Sequence, residues 1–141
     1  MSIRCGVVGA SGYTGVELLR ILSTHPEFDV VYMAAGRSAG ENISQIWPGL
    51  SGLLDQPVVP FDAATAADAC DLVFLALPHG ISASHTPTLL AGGCTVVDLG
   101  ADFRLKDADV YERHYRVTHP CPELLSEAVY GLVELTRAEL P

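Results

Sequence analysis

Gly9-Ala10-Ser11-Gly12-Tyr13-Thr14-Gly15 carries three glycines at a spacing of three. It follows a largely apolar run, Ile3 to Val8, and opens a segment in which Val16, Leu18, Leu19, Ile21 and Leu22 recur at helical spacing. Strand, glycine turn and helix in that order form the context in which such a motif holds a dinucleotide. Glycines let the backbone turn tightly and approach a pyrophosphate, while the helix offers free N–H groups and the positive end of its dipole. The spacing is G-x-x-G-x-x-G rather than G-x-G-x-x-G, and glycine alone would also permit a tight turn that binds nothing. The flanking strand and helix favour nucleotide binding.

Working outward, strand and helix alternate. Strands are predicted at Ile3–Val8, Asp29–Ala34, Gln56–Pro60, Asp71–Leu77 and Thr95–Leu99, the first, fourth and fifth apolar enough for fully buried parallel strands. Helices are predicted at Thr14–Thr24, Ala63–Ala69 and Ile81–Ala91, the last kinked or restarted at Pro87. This pattern implies an α/β fold, a Rossmann-like doubly wound parallel sheet with right-handed crossovers. A long polar, glycine-rich connection holding the single tryptophan, Trp47, follows the second strand; loops of that length are uncommon unless functional. After Leu99 the pattern turns irregular, with a short charged helix expected at Asp107–Tyr115 and one further turn at Leu124–Ala128. The closing Thr136–Pro141 reads as a helix just begun, which suggests a truncated domain.

The second strand ends in Ala34-Ala35-Gly36-Arg37-Ser38. An NAD-type fold places an acid there for the ribose 2′-hydroxyl, roughly 20 residues past the turn. Arg37 and Ser38 stand in that place, suited to pair with and donate to a 2′-phosphate, so NADP is expected over NAD. Two more segments lie at the carboxyl ends of predicted parallel strands, where open α/β sheets bind ligands: Leu77-Pro78-His79-Gly80 and Asp98-Leu99-Gly100-Ala101-Asp102-Phe103-Arg104-Leu105. His79 suits either cofactor contact or capping of the following helix. Arg104 suits either an anion or an ion pair with Asp102 or Asp107.

The 141 residues fit one domain, nearly half of them apolar, with a formal net charge of −9 and one lysine, Lys106. Nothing basic enough for nucleic acid is present, and no apolar run approaches the ~20 residues of a membrane span. Cys5, Cys70, Cys94 and Cys121 form no C-x-x-C pair and suggest a reduced, cytoplasmic protein. Cys5 and Cys70 read as core residues; Cys121, between two prolines, reads as part of an irregular surface segment. No P-loop, zincin motif or histidine spacing suited to a metal occurs.

Four stretches together resemble the N-acetyl-gamma-glutamyl-phosphate reductase family of arginine biosynthesis, in the semialdehyde dehydrogenase superfamily: Val8–Gly15, Leu75–Gly80, Gly100–Leu105 and Val129–Leu132, joined by His119-Pro120 and Pro122–Leu125. The reductase for a carrier-bound aminoadipyl phosphate in lysine biosynthesis shares most of them. The resemblance implies an oxidoreductase in which a cysteine thiolate attacks an acyl phosphate, phosphate leaves, and NADPH reduces the thioester to a semialdehyde. It implies Gly9, Ser11, Gly12, Tyr13, Thr14 and Gly15 as the pyrophosphate turn, Arg37 and Ser38 as 2′-phosphate contacts, Pro78 and His79 near the nicotinamide ribose, and Arg104 at the substrate phosphate. The family's nucleophile lies in a Pro-Gly-Cys-Tyr-Pro-like motif beyond Leu135, and none of the four cysteines here has that context. Residues 1–141 are therefore expected to be the NADP-binding domain alone, without a catalytic residue, inactive by itself and prone to self-association, the full-length protein being a homo-oligomer. A stand-alone nucleotide-sensing module remains the rival reading.

Overall fold

The structure is a computed structural model and describes residues 2–140. A parallel sheet of four strands forms its centre: β1 (Ile3–Val8), β2 (Phe28–Ala34), β3 (Leu72–Leu75) and β4 (Thr95–Asp98), in the order β2-β1-β3-β4. The chain leaves β1 toward β2 on one side and returns to β3 on the other. The strand order thus reverses at β1, and a crevice opens beyond its carboxyl end.

Two apolar clusters cover the two faces. Cys5 and Val7 of β1 pack with Val30 and Met33 of β2 and with Leu19 and Leu22 of helix α1 (Tyr13–Leu22). Val8 of β1 packs with Tyr32, Ala34, Val73 and Leu75, beneath Ala66 and Ala67 of α3 (Ala63–Ala69) and Leu89 of α4 (Ser82–Ala91). The doubly wound architecture read from the sequence is the one observed.

The predicted strand at Gln56–Pro60 does not form. Only single bridges occur there, Ala34 with Val59 in parallel and Asn42 with Pro57 in antiparallel. Pro57 and Pro60 carry no N–H to donate, so a continuous ladder is not available. Val59 still bonds Met33 and Ala35 at 2.9 and 3.0 Å, lying beside β2 as a rudimentary strand. β4 corrects a second expectation: it is the edge of the sheet, and none of its residues is fully buried.

The long connection after β2 is folded. It holds α2 (Ile43–Ile46), capped by Asn42, and a 3-10 turn at Pro48–Leu50, and sends Ile43, Leu50 and Leu54 into the first cluster. α5 (Ala108–Tyr115) is capped by Asp107. A 3-10 turn at Pro122–Leu125, the short α6 (Val133–Thr136) and a last 3-10 turn at Arg137–Glu139 complete the described chain. Pro141, the end of the closing segment read as a helix just begun, lies outside the described residues.

Pro87 does not restart α4, which is one continuous helix through it. A proline within a helix leaves the carbonyl four residues earlier without its donor. That carbonyl belongs to Ala83, and the Cys121 thiol donates to it at 3.2 Å. Cys121 is therefore buried and structural, not on the surface as its proline neighbours suggested.

Candidate functional site

Residues of the glycine turn are fixed from below. The Gly9 and Ala10 N–H groups both donate to the Ala34 carbonyl at 2.9 Å, tying the turn to the end of β2. Gly9 has φ +87°, and a Cβ there would lie 2.1 Å from the Ala76 carbonyl oxygen. A Cβ on Gly15 would lie 2.2 Å from the Gly9 carbonyl oxygen. The fold itself demands glycine at both positions.

Gly12 differs. Its φ of −83° suits any residue, and a Cβ would meet only the Gly9 oxygen, at 3.4 Å. Neither its backbone conformation nor its surroundings require glycine there, and the missing side chain leaves the turn open to close approach of a ligand. Gly12 is the N-cap of α1 and supplies no side-chain cap. Among the described residues the N–H groups of Tyr13, Thr14 and Gly15 have no acceptor. Gly12, Tyr13 and Thr14 are exposed at the positive end of the helix, while Gly15 is buried.

Beside the turn lies a largely apolar cavity of about 220 Å³, lined by Val8, Gly9, Ala35, Gly36, Pro60, Phe61 and Leu77. It sits at the carboxyl ends of β1, β2 and β3, where the strand order reverses. Arg37 follows its rim residue Gly36, is exposed, and forms no ion pair among the described residues. Ser38 is half-buried on the same turn. The glycine turn, Arg37-Ser38 and the segment entering Pro78 thus surround one crevice.

Pro78 and His79 are exposed on the loop after β3, and the His79 ring lies 5.7 Å from that of Tyr115. Arg104 Nη1 donates to the Tyr115 hydroxyl at 3.5 Å. Tyr115, which sequence reasoning missed, therefore joins these two candidate residues. Neither proposed ion pair of Arg104 forms among the described residues. Asp107 accepts from the Val110 N–H as the cap of α5. Asp102 is fully buried and engaged elsewhere.

Asp102 also takes the capping role considered for His79. Its carboxylate accepts from the N–H groups of Gly80 and Ala83 at 2.6 and 3.0 Å and from the Tyr111 hydroxyl at 2.8 Å. Burial and the Asp102 carboxylate push the Tyr111 phenol upward, which keeps it a donor. His119, also buried, bonds the Asp102 carbonyl through Nε2 at 2.9 Å and accepts from the Cys121 N–H through Nδ1. This pattern selects the tautomer protonated on Nε2.

Asp98, at the end of β4, accepts from the Gly100 N–H at 2.9 Å, but its Oδ2 is buried without a partner among the described residues. Burial raises its pKa, opposed by that N–H. The cysteines are all buried. Burial pushes Cys5 and Cys121 up to about 11 and Cys70 up to about 12, and raises Cys94. Thiols so placed are poor nucleophiles near neutral pH. Among the described residues no cluster suited to a metal ion occurs, and no helix is long and apolar enough to cross a membrane.

Comparison with known proteins adds the family. The semialdehyde dehydrogenase NAD-binding domain family matches residues 4–141. An N-acetyl-gamma-glutamyl-phosphate reductase of Herminiimonas arsenicoxydans is 49% identical over 135 residues, 96% of this chain and 39% of that protein. A [LysW]-L-2-aminoadipate/[LysW]-L-glutamate phosphate reductase of Saccharolobus solfataricus is 49% identical over 138 residues, 98% of this chain and 39% of that protein. Aspartate semialdehyde dehydrogenase of Candida albicans, solved with NADP, superposes with a TM-score of 0.65 at 25% identity, over 77% of this chain and 32% of that one. This chain thus spans about two-fifths of the length of its curated relatives. It belongs to the semialdehyde dehydrogenase NAD-binding domain family.

Proposed function

We propose that these residues form the NADP(H)-binding domain of an acyl-phosphate reductase acting on N-acetyl-gamma-glutamyl phosphate. The observation that carries the nucleotide reading is Gly12, a glycine the fold does not need, at the head of a helix with no side-chain cap whose first N–H groups have no acceptor among the described residues. Those groups would hold the pyrophosphate. The apolar cavity beside the turn would take the adenine ring, and Arg37 with Ser38 would take the 2′-phosphate. When bound, NADP(H) supplies the hydride. His79, on the loop at the next strand end, would flank the nicotinamide ribose, and Arg104 would offer a cation to the substrate's phosphate.

Reduction of an acyl phosphate through a thioester needs a reactive thiolate. The buried, proton-retaining cysteines of this chain do not supply one, so on this reading the nucleophile and the substrate-binding part come from sequence outside these residues. The exposed edge of β4 and the exposed Leu99, Tyr130, Leu132, Val133 and Leu135 provide apolar surface for such a part, or for a second copy, to cover.

The lysine-pathway substrate is the second reading. It is favoured by the Saccharolobus relative, as similar to this chain as the Herminiimonas one. Assay of the encoding gene's whole product with both acyl phosphates decides between them. For the domain itself, NADPH at saturation should raise the melting temperature, because it binds only the folded state. An unchanged melting temperature would contradict the nucleotide reading.

A further inference from the structure

The long connection after β2 reaches back to the glycine turn. The Trp47 indole N–H donates to the Ser11 carbonyl at 3.2 Å, across 36 positions of sequence. Its ring lies 5.7 Å from that of Tyr13, tilted by 55°. Trp47 is half-buried against the cluster that also receives Val16 and Leu18.

The segment carrying it is braced at both ends. The Gly40 N–H donates to the Val58 carbonyl at 2.8 Å, the Val58 N–H to the Glu41 carbonyl at 2.9 Å, and the Ile43 N–H to the Gln56 carbonyl at 3.0 Å. Asn42 Oδ1 accepts from the Ser44 N–H while its Nδ2 donates to the Asp55 carbonyl at 2.8 Å. Fully buried Ile43 and Leu50 anchor it from inside. The segment is thereby tied to the rest of the domain by backbone bonds, side-chain bonds and buried anchors.

Ser11 and Gly12 share one peptide plane. The Gly12 N–H of that plane donates to Gly9 at 3.0 Å, and its Ser11 carbonyl accepts from Trp47. Both ends are thereby fixed. Were the plane to turn over, its carbonyl oxygen would oppose the Gly9 carbonyl oxygen and both hydrogen bonds would be lost, distorting the turn that leads into α1.

We propose that Trp47 is a positioning residue for the pyrophosphate turn: its indole N–H fixes the Ser11–Gly12 peptide plane, so that the turn meets the anion ready-made. The inference rests on the nucleotide reading above and deepens it. Because NADPH and NADH share the pyrophosphate, the effect falls on both alike, unlike that of Arg37.

The test is Trp47→Phe, which deletes the N–H and keeps an aromatic ring, with NADPH and NADH titrated by calorimetry well below the unfolding temperature. The expected result is weaker binding of both nucleotides by the same factor, about 3- to 10-fold for one hydrogen bond, with their ratio unchanged. Wild-type affinity for both in Trp47→Phe, or loss confined to NADPH, overturns the proposal and leaves the nucleotide reading intact. A wild-type chain that binds neither nucleotide overturns the nucleotide reading itself. Should Trp47→Phe fail to fold, Trp47→Tyr, which also lacks the indole N–H, decides by the same titrations: an equal loss of affinity for both nucleotides is expected, and wild-type affinity for both overturns the proposal.

Discussion

Asp102 Oδ1 accepts the Gly80 N–H at 2.6 Å, so a fully buried carboxylate from the loop after β4 holds the loop after β3. The same carboxylate reaches Ala83 in the first turn of α4 and the Tyr111 hydroxyl of α5. One side chain therefore fixes the segments that carry His79, Arg104 and Tyr115. The acid in the Ala-Asp-Phe-Arg stretch serves the shape of the crevice, while Arg104 two positions on faces solvent.

Asp102→Ala strands two backbone N–H groups and a buried phenol. With each unsatisfied buried group costing about 1–3 kcal/mol, the loss of unfolding free energy should be at least ~3 kcal/mol in urea titration. A loss below about 1 kcal/mol would show that the network carries no such weight.

Cys121 and Pro87 should be coupled. Cys121→Ala leaves the Ala83 carbonyl without a donor and should cost about 1 kcal/mol. Pro87→Ala restores a main-chain N–H four residues on from Ala83 and makes the thiol redundant. Cys121→Ala should then cost much less in the Pro87→Ala background, as a double-mutant cycle by chemical denaturation reads directly. Additive effects would mean that the thiol is not replacing the missing N–H.

The glycines of the turn should separate folding from binding. Gly15→Ala drives a Cβ against the Gly9 carbonyl oxygen and should destabilise the empty chain by a few kcal/mol, about the cost of overpacking. Gly12→Ala should leave the melting temperature of the empty chain nearly unchanged and weaken NADPH at least about tenfold, by obstructing the phosphates. Undiminished NADPH binding by Gly12→Ala would remove the observation on which the nucleotide site rests.

Asp98 gives a pH dependence with a definite sign. Burial raises its folded pKa above the unfolded value, so the folded chain holds that proton more tightly. The contribution is fully present below the unfolded pKa, about 3.9, and is lost as pH rises through the folded value. At neutral pH ionised Asp98 opposes folding. Asp98→Asn keeps the Oδ1 acceptor for Gly100 and removes the charge. It should unfold at higher temperature than wild type near neutral pH, with the difference shrinking toward acid. An advantage independent of pH would point to packing instead.

Much of this was legible because it is local. The run Ile3–Val8, the glycine turn and the apolar periodicity of α1 lie within some twenty consecutive residues, and each reinforces the others. The strand at Gln56–Pro60 was misread because apolar Val58 and Val59 outweighed two prolines that cannot donate to a ladder. Asp102 with Tyr111, Cys121 with Ala83, and Trp47 with Ser11 were not legible. Each joins residues 9 to 38 positions apart whose meeting depends on how whole elements pack. One signal was available for Cys121: a proline inside a helical pattern implies a stranded carbonyl, hence a donor from elsewhere.

On the proposed reading NADPH binds this chain through the glycine turn and is preferred to NADH through Arg37. Calorimetric titration of the wild-type chain and Arg37→Ala with both nucleotides decides it. Wild type should bind NADPH more tightly than NADH, and Arg37→Ala should lose most of that preference, about 1–3 kcal/mol for a charge-assisted contact, with NADH affinity unchanged. Equal affinity of the wild-type chain for the two nucleotides, or binding of neither, would contradict it.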